Sequence, residues 1–169
     1  MEDFLATVVD SEWNAQQDAG RPFAEAVADA SARHPRHATL IEAFHSRWEE
    51  MLAGPIDGSV TLLDGLRRHG VPLYALTNWS RETFPIARAR FDFLDWFQGI
   101  VVSGEERIAK PDPAIFHRLT ERYGLAASAT LFIDDSEKNV DAARRLGFQA
   151  HHFRSPGILH AALDEYGLL

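Results

Sequence analysis

The chain has 169 residues, 46% of them hydrophobic, enough for the buried core of one domain with a small appendage. A formal net charge of -8 argues against a surface for nucleic acid or anionic membrane, although a local metal ion and one lysine can still hold a phosphate ester. The absence of cysteine excludes disulfides, thiol nucleophiles and cysteine-based zinc sites.

The pattern is helical from residue 1 to residue 54, with Leu5 to Val9 the one stretch that also admits a strand. MEDFLATVVD begins acidic and has no basic leader, and no apolar run approaches the roughly 20 residues needed to cross a bilayer. The expectation is a cytoplasmic protein with no membrane partner. Arg21-Pro22 opens a helix in which Phe23, Val27 and Ala30 recur on one face. A second helix carries Leu40, Ile41, Phe44, Trp48, Met51 and Leu52, and stops at Gly54-Pro55. From Ile56 on, helices and short apolar runs alternate. Ser59 can cap a helix with Leu62, Leu63 and Leu66 on one face, closed by Gly70. A strand follows from Pro72 to Thr77, then a helix through Phe84, Ile86 and Ala87. Ile100 to Ser103 reads as a strand, and Asp112 caps a helix that ends at Gly124. Thr130 to Ile133 is a third strand, Ser136 to Leu146 a helix, Phe148 to His152 a fourth strand, and Ser155-Pro156 begins a last helix. This alternation predicts an α/β fold, a parallel sheet with helices on both faces. Such sheets bind ligands at the carboxyl ends of their strands.

Three polar clusters stand at or after those strand ends. Thr77-Asn78 closes LYALTN, where a hydroxyl and the following N–H groups can hold a phosphate oxygen; Thr77 can equally cap the next helix. Lys110, in RIAKPDPAIF, sits on a turn stiffened by two prolines, a placement suited to an anionic group. Asp134-Asp135, in LFIDDSEKN, puts two carboxylates at one sheet end, where a hard divalent cation offsets their repulsion; a helix N-cap would need only one. None of the eight histidines stands in a metal-ligand spacing such as HExxH, and His34, His37, His45, His151 and His152 read as surface or helix-face residues.

In this order and spacing, LTNWS, KPDP and IDDS resemble motifs two, three and four of the haloacid dehalogenase-like superfamily. The resemblance implies a Rossmann-like core over residues 55–169 and an inserted all-helical cap over residues 1–54. Among its branches, the sugar-phosphate phosphatases, such as glucose-1-phosphate phosphatase, are the most similar. It implies magnesium-dependent hydrolysis of a small phosphorylated metabolite through an aspartyl-phosphate. Thr77 and Asn78 would then bind the transferring phosphoryl group, and Lys110 would steady it and the nucleophile. Asp135 would ligate magnesium with Asp134 assisting. Ser136 and Asn139 fall in the same loop, although many relatives carry an acid where Asn139 stands.

The superfamily's first strand, which ends in DxDG or DxxG and carries the nucleophile, has no counterpart in these residues. Asp10, after Thr7-Val8-Val9 and with Glu12 two positions on, is the one substitute, and it lacks the glycine turn. The expectation is a core without its first strand, two inner sheet edges without partners, and a chain that lacks the attacking aspartate. Two other readings stay open. One is a 2-haloacid dehalogenase, against which the paired carboxylates argue because they would repel an acid substrate. The other is a catalytically inactive binding protein of the same fold. Specificity would come from the helical region, where Trp13, Asn14 and Trp48 either line a pocket or pack.

Overall fold

The computed structural model describes residues 2–169. In chain order it begins with α1 (Glu2–Thr7), α2 (Ser11–Asp18), α3 (Phe23–Arg33), α4 (Ala38–Ser46), α5 (Trp48–Met51) and α6 (Asp57–Arg68). Strand β1 (Tyr74–Thr77), α7 (Phe84–Arg90), β2 (Gly99–Val102), α8 (Ser103–Glu106) and α9 (Pro113–Tyr123) follow. The chain ends with β3 (Leu131–Asp134), α10 (Glu137–Arg145), β4 (Gln149–His152) and α11 (Pro156–Glu165). Among the described residues no helix is long and apolar enough to cross a membrane.

The residues form two compact units. The first comprises Met1–Ala53, Thr77–Phe91 and Val102–Ala109. Its core gathers Phe4, Val8, Trp13, Phe23, Ala30 and Ile41, with the Trp13 ring edge-on to Phe23 and Phe44 at 6.0 and 5.6 Å. The ambiguous stretch from Leu5 resolves here. Phe4 and Val8 both enter this core while Leu5 stays exposed, a spacing that suits the helix α1 and not a strand. The single long helix expected through Trp48 is two, broken at Arg47, so Ile41 is buried while Leu40 and Met51 remain exposed.

The second unit comprises Gly54–Leu76, Asp92–Val101 and Lys110–Leu169. Strands β3 and β4 pair in parallel, with Leu131 opposite Gln149 and Asp134 opposite His152. Side chains alternate across this pair. Leu131 and Ile133 pack with Leu62 and Leu66 of α6 and Leu159 and Leu163 of α11. Phe132 points the other way, its ring 5.2 Å from Phe116 of α9 and 6.3 Å from Phe148. Helices therefore cover both faces, the α/β arrangement expected. Helix α6 starts at Asp57, two residues before Ser59, so Ser59 lies inside its first turn and is not its cap.

Strand β1 pairs with β2, and β3 with β4, as separate two-stranded sheets. Within the second unit a cavity of about 960 Å³ is lined by Leu73–Leu76 and Leu131–Asp135 together with residues of α6 and α11.

Candidate active site

The turn after β3 is held by its own polar groups. Asp134 is the last residue of the strand, with a side chain only 5% exposed. Its Oδ1 accepts from Ser136 N and from Asn139 Nδ2, both at 2.9 Å. Its Oδ2 accepts from Lys110 Nζ at 2.6 Å. Three donors thus satisfy one buried carboxylate, as a charge removed from water requires. Ser136 occupies the N-cap position of α10 without a side-chain cap bond, and Asp134 supplies the acceptor instead. Asn139, in the first turn of α10, is 8% exposed and aims its amide back at the strand end.

Asp135 stands on the opposite terms. It is exposed, and its backbone carbonyl accepts from His152 Nε2 at 2.9 Å. The β3–β4 register, Asp134 opposite His152, delivers that imidazole. His152 is therefore half-buried and orients the turn, where the sequence suggested a surface residue.

Lys110 leads into α9, whose N-cap Asp112 accepts from Ala114 N at 2.9 Å. The lysine side chain is 9% exposed. Besides Asp134, its Nζ donates to the Leu76 carbonyl at 2.7 Å. One ammonium group therefore ties the β3 terminus to the residue immediately before Thr77.

Thr77 ends β1, and the next helix, α7, begins only at Phe84 with Thr83 in the N-cap position. The capping alternative for Thr77 is thereby removed. Within the first unit, the loop after Thr77 is anchored by α8. Trp79 N donates to Ser103 Oγ at 2.9 Å, and Gly104 N donates to Trp79 O at 3.1 Å. Gly104 is required by this approach, since a Cβ there would lie 2.4 Å from Arg81 N.

The remaining candidates fall in the first unit. Asp10 is the N-cap of α2, its Oδ1 accepting from Trp13 N at 2.7 Å. Trp13 packs in the core, Trp48 rests edge-on against Trp79 at 5.7 Å, and Asn14 Nδ2 donates to Asp18 Oδ2 at 3.3 Å. Asp18 was not anticipated. Burial pushes its carboxyl up to about 6, partly countered by the Ser80 backbone N–H that it accepts. No local sequence signal marks it, because Ser80 lies far along the chain.

A magnesium ion suits the oxygen donors present. Asp135 offers an exposed carboxylate beside one that is already committed to Lys110, and magnesium is satisfied by one or two carboxylates with water and phosphate oxygens. Among the described residues no group of three acidic or histidine side chains could hold a metal by itself. The rest of such a coordination shell would have to be water and substrate.

A family model described as haloacid dehalogenase-like hydrolase matches residues 3–147. A phosphoglycolate phosphatase from Thiobacillus denitrificans is 29% identical over 141 residues, 83% of this chain and 56% of the relative. The sesquiterpene phosphatase astK from Aspergillus oryzae is 33% identical over 92 residues, 54% of this chain and 47% of the relative. The chain thus spans about half the length of these relatives. Among solved structures, the enzyme bt-2542 from Bacteroides thetaiotaomicron aligns with a TM-score of 0.72 and 26% identity, over 91% of this chain and 78% of that one. Its wild-type complex with magnesium and inorganic phosphate aligns with a TM-score of 0.69 and 28% identity, over 83% of this chain and 73% of that one.

Proposed function

The chain belongs to the haloacid dehalogenase-like hydrolases, and from that premise we propose that it carries most of the site of a magnesium-dependent phosphatase for small phosphate monoesters, sugar phosphates among them. The observation that carries this reading is the Lys110 Nζ that bridges Asp134 and the Leu76 carbonyl at the two strand ends. In it, Thr77 and Asn78 hold the phosphoryl oxygens, and Lys110 offsets the charge that gathers on them. Asp134 keeps Lys110 in place, with Asn139 and Ser136 orienting Asp134. Asp135 holds magnesium, which when bound would stabilise negative charge on the phosphoryl group.

The attacking carboxylate is not assigned to any of these groups. Asp134 is locked by three donors and Asp10 caps a helix. We place the nucleophile on a strand that enters the apolar cavity between β1 and β3 and ends at Asp134 and Asp135. A cavity of about 960 Å³ lined by residues of both β1 and β3 supports that placement. The 169-residue chain is then expected to show little turnover, and a chain bearing such a strand to hydrolyse phosphate esters.

A panel of phosphate monoesters and 2-haloacids, assayed with both chains with and without chelator, tests the reading. Magnesium-dependent phosphate release by the longer chain is expected. Halide release that survives chelator would overturn it in favour of a dehalogenase, and inactivity of both chains in favour of a binding protein.

A further inference from the structure

We propose that His152 is a positioning residue for the metal site: its imidazole fixes the peptide that follows Asp135 and so presents the Asp135 carboxylate to magnesium in one orientation. The proposal rests on the assignment of Asp135 as the magnesium ligand given above.

An exposed carboxylate at a strand end can point in many directions, and a metal ion gains affinity when its ligand is held in place before it arrives. The peptide units on either side of Asp135 are both held. On its N-terminal side, the Asp134 carbonyl accepts from Phe153 N at 2.9 Å. On its C-terminal side, the Asp135 carbonyl accepts from His152 Nε2 at 2.9 Å. The N–H of that same peptide, belonging to Ser136, donates to Asp134 Oδ1 at 2.9 Å. One peptide plane is therefore gripped at both of its polar ends by side chains. With this plane and its neighbour held, Asp135 has little freedom in φ and ψ, and the direction of its Cα–Cβ bond follows. A carbonyl only accepts, so Nε2 must carry a proton and serve as the donor.

His152 reaches the turn because β4 runs parallel to β3 in a register that sets it opposite Asp134. Its neighbour His151 stands opposite Ile133 and faces the other side of the strand, so only one of the two adjacent histidines can serve this turn. The contact is exposed, and water would satisfy the Asp135 carbonyl about as well as an imidazole does. Satisfying the carbonyl therefore does not by itself call for a histidine, whereas fixing its direction does. The side-chain donors Lys110 and Asn139 both go to the Asp134 carboxylate, and the imidazole of His152 goes to Asp135 itself.

Magnesium titrations of the 169-residue chain, followed in nitrogen-15 NMR on the Asp135 and Ser136 amides, test this. His152→Leu should bind magnesium about fivefold more weakly than the wild type. That is a smaller loss than in Asp135→Asn, because the ligand remains and only its placement is lost. His152→Gln, whose amide can still donate to the carbonyl, should recover to within about twofold of the wild type. Gly124→Ala, which strains the end of α9 away from the turn, should bind as the wild type does. Equal affinity in His152→Leu and the wild type overturns the proposal. A matching loss in Gly124→Ala also overturns it, since the effect would then trace to stability. One outcome needs no variant: a wild-type His152 imidazole protonated on Nδ1 alone, read from its ring nitrogen shifts, overturns it as well. A wild type whose Asp135 and Ser136 amides ignore magnesium, or an Asp135→Asn that binds as the wild type does, overturns the assignment of Asp135 and this proposal with it.

Discussion

Two neighbouring aspartates at one strand end do different work because one is buried and the other is not. Asp134 spends its carboxylate on Lys110, Ser136 and Asn139, whereas Asp135 keeps its carboxylate at the surface. Asp134→Asn leaves the Lys110 ammonium without its counter-charge at a site where the lysine side chain is 9% exposed. It should cost about 2–4 kcal/mol of stability, read from chemical denaturation. Asp135→Asn should stay within about 0.5 kcal/mol of the wild type, yet weaken magnesium by about tenfold or more in calorimetry. Reversed effects, with Asp135 carrying stability and Asp134 the metal, would exchange the two roles.

At the scale of elements, turn chemistry places the site residues. Asp112 caps α9 and so fixes the turn that presents Lys110, while Gly124 ends the same helix with φ at 65°. A Cβ on Gly124 would meet nothing within 4 Å, so the cost of Gly124→Ala is that of the left-handed backbone alone, about 1 kcal/mol. Asp112→Ala should cost a similar amount, about 1 kcal/mol, through the lost cap. Only the second should also lower phosphate affinity, because it loosens the Lys110 side of the helix. Denaturation midpoints together with phosphate titrations of both variants check this, and equal phosphate affinity in the two would detach the cap from the site.

For the whole molecule, the decisive feature is that two separate two-stranded sheets each contribute a strand, β1 and β3, to the lining of an apolar cavity in the second unit. Backbone groups on strand edges and the side chains of Leu73 and Leu131 are the kind of surface that another strand satisfies. The 169-residue chain should therefore bind an apolar fluorescent dye. A chain that supplies a strand to the cavity should lose the dye signal and melt several degrees higher, about 1–3 kcal/mol of added stability spread over a domain of this size. Unchanged dye binding and an unchanged midpoint would mean that the strand does not enter the cavity.

The amino-acid sequence by itself determined the alternation of strands and helices from Tyr74 onward, the caps Asp112 and Ser155, and the positions of Lys110 and Asp134-Asp135 at element ends. Those features are local: hydrophobic period, helix-stop glycine and cap chemistry act within a few residues. The ambiguous stretch at Leu5 escaped local reading, since packing of Phe4 and Val8 settled it, and so did the break at Arg47 and the start of α6 at Asp57. Only the tertiary structure decided that Lys110 reaches the Leu76 carbonyl 34 residues away and Asp134 24 residues away. It also decided that His152 serves the Asp135 carbonyl. The physical reason is that a buried polar group must find a partner wherever the fold brings one, and no sequence period encodes which distant residue that will be.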